Sequence, residues 1–408
     1  MKTAILVVGF NVRPLARSAK KAGYRVLAVD FWGDIDLSLW ADEYIAVLDQ
    51  QPQERPDRPL IPTAEALVMG VEQLLEDFGP VDYIVTSGGF DDQFESWKHL
   101  EKFGNLAGNS LDGMKRARNL HITREVALRY GAEVPTTYEV TNRKQFESAT
   151  NNLGLPFLVK PLRGSGGFHS RVIRSEQEVE RYKNYHHFSM DVPILVQDLI
   201  QGTDASVSLL STGKHALSLS MNEQLIGISK LGKGRTKAYC GNIVPLQASK
   251  ETLSDLEMVS KGICEHLNLK GSNGIDYVID ESGTPYFMEI NPRIQATIEA
   301  IELVTNVNIV NLHIEAINDS LPQFIPKPQA VCARVIVYAR ESSTIPDLRN
   351  IPGVVDIPIP GSISNRGDPV CTVNHIAATR QRAFTGAWEI VKTIYSHLRP
   401  TPNQYEEE

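Results

Sequence analysis

Gly274-Ile-Asp276-Tyr-Val-Ile-Asp280-Glu-Ser-Gly283-Thr-Pro-Tyr286-Phe-Met-Glu289-Ile-Asn291-Pro-Arg293 sets two apolar-rich runs around a Ser282-Gly283 turn, the pattern of a β-hairpin. A symmetric loop of two or four residues puts Asp276 directly opposite Glu289. Asn291 comes two residues later and shares their face, because strand side chains alternate. Like charges opposite one another destabilise a bare sheet, so the pair asks for a positive partner. Oxygen ligands from Asp, Glu and Asn suit Mg²⁺, which keeps waters and shares its other positions with phosphate oxygens. Arg293, just after Pro292 at the strand end, offers a planar fork to a phosphoryl or carboxylate oxygen. A surface hairpin with solvated acids is the competing reading, and the apolar residues flanking both acids weigh against it.

Upstream, Pro156-Phe-Leu-Val-Lys160-Pro161 is an extended run ending in a lysine, and Arg163-Gly164-Ser165-Gly166-Gly167-Phe168 follows it. Glycines let a backbone close over an anion with its amides inward, and Lys160 adds a point charge for phosphate oxygens. An ordinary flexible hairpin explains the same turn, and no P-loop motif occurs. Ile194-Leu-Val-Gln197-Asp198-Leu199-Ile200-Gln-Gly202-Thr-Asp204 runs from an apolar strand into a turn. Gln197 and Asp198 could meet a purine edge and Asp204 ribose hydroxyls, although a strand end with its usual turn acid accounts for them too. Ser229-Lys230-Leu-Gly232-Lys233-Gly234-Arg235-Thr-Lys237 reads either as a mobile cover over phosphates or as a solvated charge run.

The chain around these motifs has 408 residues, 42% of them hydrophobic, enough for a large core and several lobes. A formal charge of -8 argues against broad nucleic-acid binding. Four widely spaced cysteines form neither a metal spacing nor a disulfide framework, which fits reduced thiols in a cytoplasm. The apolar run Ala4 to Phe10 is too short to cross a membrane, and no segment approaches the roughly 20 apolar residues a spanning helix needs.

Residues 1–110 alternate short strands and helices, implying a parallel α/β sheet: strands at Ala4-Phe10, Tyr24-Asp30, Tyr44-Leu48 and Asp82-Ser87, with a helix at Thr63-Phe78. Gly9 and Asp30 sit as in a dinucleotide fold, but Asn11 and Pro14 occupy positions where its fingerprint has glycines, which argues against NAD. Leu111 to Tyr130 reads as one helix ending at Gly131. Residues 111–325 then mix strands and helices as an α+β domain, with a small lobe at about 135–200 and a large lobe at about 201–325. Pro322, Pro326 and Pro328 mark a linker to a strand-rich module over 326–400, closed by a helix at Gln381-Leu398.

Lys160 with its glycine loop, Gln197-Asp198-Leu199-Ile200 with Asp204, Asp276, and Glu289-Ile-Asn291-Pro-Arg293 together resemble the ATP-grasp superfamily over essentially the whole chain. The expected architecture is an ATP-grasp fold with a parallel α/β pre-ATP-grasp domain and a biotin-carboxylase-like C-terminal module. Asn291-Pro-Arg-Ile-Gln-Ala-Thr-Ile-Glu299 and Asp368-Pro-Val-Cys371-Thr look closest to archaeal-type carboligases related to biotin carboxylase. The resemblance implies that Lys160 contacts the adenine side and the α-phosphate, while Gly164, Ser165, Gly166 and Gly167 cover the β- and γ-phosphates. Backbone at Asp198 to Ile200 would read adenine, and Asp204 the ribose. Asp276, Glu289 and Asn291 would hold two Mg²⁺, with Mn²⁺ as an alternative. Arg293 would stabilise the transferring phosphoryl group, and Lys230 is the second catalytic candidate.

One departure stands out. The family usually places another ATP lysine near the start of the helix that ends here at Gly131, where this chain has Asn119 or Leu120; Arg116, Arg118 and Lys115 are the basic residues at hand. The implied activity is ATP-dependent carboxylate-amine ligation through an acyl phosphate, on small-molecule substrates, with room for a homodimer. Bicarbonate-dependent carboxylation and a non-catalytic nucleotide-binding role are the rival readings.

Overall fold

The computed structural model describes residues 2–164, 166–167, 169–231 and 237–401. The N-terminal part is a four-stranded parallel sheet in the order β3-β2-β1-β4, built from β1 (Ala4–Gly9), β2 (Arg25–Asp30), β3 (Glu43–Ala46) and β4 (Tyr83–Thr86). Ile5, Leu6, Val7 and Val8 are fully buried because helices cover both faces, which is why β1 reads as an unbroken apolar run rather than an alternating one. Each such side chain contributes about 1.5–3 kcal/mol by leaving water. Helices α1 (Arg13–Lys21), α2 (Thr63–Phe78) and α3 (Phe94–Lys102) belong to this part. The Asp30 carboxylate accepts from the backbone amides of Val12, Trp32 and Gly33, so it braces the β1–α1 connection instead of facing a ligand.

The stretch expected as one helix is two. Helix α4 (Leu111–Ala117) stops before α5 (Leu120–Arg129), because the Asn119 side chain accepts from the amides of His121 and Ile122 and starts a new helix. Beyond it, β5 (Thr137–Val140), α6 (Arg143–Leu153), β6 (Phe157–Pro161), β7 (Arg171–Ile173), α7 (Glu176–Tyr185) and β8 (Ile194–Asp198) form a small lobe. Its antiparallel sheet has the order β5-β8-β6-β7.

Strands β9 (Thr203–Thr212), β10 (Ala216–Ile226), β11 (Tyr239–Val244), β12 (Lys270–Ile279) and β13 (Pro285–Asn291) lie with helices α8 (Lys250–His266), α9 (Ile298–Thr305) and α10 (Ile309–Ile317). Strand β14 (Val331–Tyr338) pairs directly with β11, so one eight-stranded sheet runs through the proline-rich connection, in the order β13-β12-β9-β10-β11-β14-β18-β16. The C-terminal part contributes the short strands β15 (Ser343–Thr344), β16 (Val354–Val355) and β17 (Ile363–Ser364), then β18 (Pro369–Ala377), α11 (Arg380–His397) and β19 (Arg399–Pro400).

A buried ionic network joins these parts. Glu299 of α9 accepts from Arg13 Nη1 at 2.7 Å and Nη2 at 2.6 Å, from Arg334 Nη1 at 2.8 Å and from Asn374 Nδ2 at 3.0 Å. Asp356 takes Arg13 Nε at 2.7 Å and Arg334 Nη2 at 2.9 Å. All four cysteines are buried. Among the described residues no helix is long and apolar enough to cross a membrane.

Candidate functional site

The β12–β13 ladder pairs Asp276 with Glu289 and Gly274 with Asn291. The route to that register differs from a symmetric two- or four-residue loop: Asp280 pairs with Thr284 around a three-residue turn, and a bulge beside Asp276 shifts the register back. Asp276 receives Asn291 Nδ2 at 2.9 Å and Gln224 Nε2 at 3.0 Å. Burial, then the neighbouring Glu289 charge, pushes its carboxyl up to about 8 despite those amides and Arg293. Two acids facing each other on adjacent strands fit a divalent cation, with Asp276, Glu289 and Asn291 as oxygen donors. Among the described residues no cluster of three or more His, Cys, Asp or Glu side chains offers a metal site of another kind.

The hairpin floors a cleft of about 350 Å³ between the small lobe and the eight-stranded sheet. Lys160, at the end of β6, enters it from above; burial lowers its pKa, while Glu289 and Asp276 act the other way. The glycine loop rests on the start of β11, with Tyr239 N–H donating to Gly166 O at 3.2 Å. Gly167, at φ +67°, needs to be glycine, since a Cβ there would lie 2.0 Å from the Lys237 carbonyl oxygen. Gln197 is buried and donates Nε2 to Thr137 Oγ1 at 2.8 Å, and Asp198, Leu199 and Ile200 continue the wall beside it. Burial raises the Asp204 pKa, against the pull of Lys237 at 3.8 Å.

The cleft therefore gathers Lys160, Gly164, Gly166, Gly167, the Gln197–Ile200 strand end, Asp204, Arg118 and the hairpin's Asp276, Glu289, Asn291 and Arg293. Ser165 lies outside the described residues, as do 232–236 of the basic loop. Two expectations fail. Arg116 points away from the cleft and donates to Leu267 O at 3.1 Å, because α4 ends one residue later and Asn119 redirects the chain. Lys230 holds its ammonium 5.6 Å from the Trp388 ring centre, on the flank of α11, where the charge lies over an aromatic face rather than in the cleft. Lys237, at the far end of the same basic segment, lines the cleft instead.

Three functional residues escaped the sequence reading. Asp91 takes Arg293 Nε at 2.9 and 3.0 Å, and Asp92 takes Arg118 Nε at 3.0 Å and Nη2 at 2.7 Å. A signal for them existed: Gly88-Gly89 and two acids follow β4, at the carboxyl end of a parallel strand, where ligand-handling loops of such sheets gather. The third is Gln295. Asn222 Nδ2 donates to Ser208 Oγ at 3.2 Å, that hydroxyl donates to Gln295 Oε1 at 2.6 Å, and Gln295 is part of the cleft wall. Its side chain lies on Gly274, where a Cβ would come within 1.9 Å of Gln295 Cδ.

Residues 120–297 match the ATP-grasp domain model. An uncharacterized protein of Methanocaldococcus jannaschii is 27% identical over 90% of this chain and 87% of its own length. The fold is similar to that of the biotin carboxylase domain of 2-oxoglutarate carboxylase from Hydrogenobacter thermophilus, solved as a dimer with MgADP, ADP and bicarbonate: TM-score 0.72, 16% identity, covering 98% of this chain and 91% of that one. It is also similar to L-amino acid ligase from Bacillus licheniformis, with TM-score 0.69, 16% identity, and 98% and 100% of the two chains covered. The domain match and the fold agree, and residues 120–297 of the chain form an ATP-grasp domain.

Proposed function

We propose that this protein is an ATP-dependent carboxylate-amine ligase that works through an acyl phosphate. The observation that carries the reading is the Asp276–Glu289 pair on the cleft floor, beneath Lys160 and beside Arg293. Asp276, Glu289 and Asn291 would hold Mg²⁺, which neutralises phosphate charge when bound. The chain's own residues do the rest. Lys160 and Arg118 meet the nucleotide phosphates, the glycine loop covers them and excludes water, and the Gln197–Ile200 strand end receives the adenine with Asp204 near the ribose. Arg293, with Asp91 holding its Nε, turns the rest of its fork toward the transferring phosphoryl group. Gln295 presents its NH₂ to the substrate carboxylate.

A carboxylate oxygen attacks the γ-phosphorus and ADP leaves; an amine nitrogen then attacks the acyl carbon, phosphate departs and the nitrogen loses a proton. Positioning and electrostatics supply most of the acceleration in such a transfer. The domain division at 1–110, 111–325 and 326–400, a cytoplasmic location and a homodimer like the one in the H. thermophilus structure belong to the same proposal. An ADP-release screen across amino acids and amines, at fixed ATP and Mg²⁺, tests it. ADP release that requires both an acid and an amine supports ligation. Turnover driven by bicarbonate alone would replace it with carboxylation, and absence of turnover with every pair would favour a nucleotide-binding role.

A further inference from the structure

The two consecutive acids behind the cleft each restrain one cleft arginine. Asp91 is buried, and although burial alone would raise its pKa, Arg293 and Arg118 bring it below the usual carboxylate range. Asp92 accepts from Arg118 Nε and Nη2 and also from the Gly164 backbone N–H at 3.0 Å. Arg118 gives its second Nη2 hydrogen to Gly164 O at 2.8 Å and one Nη1 hydrogen to Ile290 O at 3.3 Å, which leaves one Nη1 hydrogen over. Both arginines line the cleft, whereas neither Asp91 nor Asp92 belongs to its wall.

The alternative partners of these arginines are close. Arg118 Nη1 is 3.8 Å from the Glu289 carboxylate, and Arg293 Nη2 is 3.4 Å from Asn291 Oδ1. Charge attraction is strong in a partly dehydrated cleft, so a guanidinium without a carboxylate behind it would settle on the acids in front of it. We propose that Asp91 and Asp92 are positioning residues that hold Arg293 and Arg118 off the Asp276–Glu289 pair, leaving those acids for a divalent cation, and that Asp92 also ties the glycine loop to the N-terminal sheet. The two acids sit on the loop between β4 and α3, outside the ATP-grasp domain, so the N-terminal part takes a direct share in organising the nucleotide site.

This inference rests on the nucleotide and metal reading above, and the test separates the two. Asp91→Asn and Asp92→Asn in the full chain keep the shape and remove the charge. Titration of Mn²⁺ in the presence of ADP, titration of ADP in chelator, and hydrogen exchange of the peptide spanning 161–170 are compared with wild type. Both variants should lose about tenfold or more in Mn²⁺ affinity, the range seen when groups orienting a metal site are removed. Asp92→Asn should in addition weaken metal-free ADP binding and speed exchange in the 161–170 peptide, and Asp91→Glu should recover Mn²⁺ affinity in part. Arg118→Gln provides a second background that does not depend on how well the single variants fold: there, Asp92→Asn should leave Mn²⁺ affinity unchanged. Wild type that binds neither Mn²⁺ nor ADP overturns the functional reading and this inference with it. Wild type that binds both, with Asn variants that match it or a further Mn²⁺ loss in the Arg118→Gln background, overturns the positioning role alone.

Discussion

Glu299→Gln should strip the join between the three parts of the chain of its central charge. Glu299 is 3% exposed and accepts from two arginines and an asparagine, with Arg13 arriving from α1, Arg334 from β14 and Asn374 from β18. Burial alone would raise its pKa, yet Arg13 and then Arg334 overcome that and bring it from the ordinary 4.5 to about 2. A drop of that size corresponds to roughly 3 kcal/mol of preference for the charged form. Breaking one member of a buried ion network costs about 3–5 kcal/mol, because the partners stay behind uncompensated, so both routes give the same scale. The sign with pH follows from the lowered pKa. The stabilisation is complete above pH 4.5 and fades as pH falls from there through about 2, so the Gln variant should track wild type more closely in acid than at neutrality. Urea unfolding followed by tryptophan fluorescence reads this, since Trp32, Trp40 and Trp97 lie in the N-terminal part. A loss under about 1 kcal/mol at pH 7, the scale of an exposed pair, would refute the idea that the network holds the parts together.

Other substitutions probe the cleft. Arg118→Ala should weaken ADP binding about tenfold or more, as expected for losing a charge-assisted contact, while Arg116→Ala should leave it within about twofold; calorimetry distinguishes them. Gly167→Ala forces a side chain into the left-handed region at about 1–2 kcal/mol and drives its Cβ onto the Lys237 carbonyl. It should lower nucleotide affinity with little change in the melting temperature of the whole chain, and an affinity equal to wild type would show that the glycine loop does not cover the phosphates. Lys230→Ala should leave ADP release near wild type, because its ammonium packs over Trp388, and a large loss of turnover would return it to the catalytic set.

What could be read in advance was mostly local. The alternation of apolar residues around Ser282-Gly283 is enough to oppose Asp276 and Glu289, but the three-residue turn and the compensating bulge leave no imprint that a two- or four-residue loop would lack. Helix α2 appears with the bounds its pattern suggests, Thr63 to Phe78. The choice between Arg116 and Arg118 turns on one cap: the apolar pattern runs across Asn119, and only the helix break there shows which arginine faces the cleft. Asp91 and Asp92 depend on partners far away in sequence, Arg293 above all, and no local period encodes such a contact. Gln295 over Gly274 is the same kind of case, since the glycine looks like a strand defect until the side chain lying on it is seen. Lys230 misled because a basic, glycine-containing segment reads alike whether it covers phosphates or packs beside a tryptophan.

Mn²⁺ binding measured by electron paramagnetic resonance, with ADP present, reaches the centre of the account. Wild type should bind the ion, while Glu289→Ala and Asp276→Asn should each lose about tenfold or more in affinity and keep the circular dichroism of the folded chain. Folded variants that bind Mn²⁺ as tightly as wild type would contradict a shared cation between the two opposed acids.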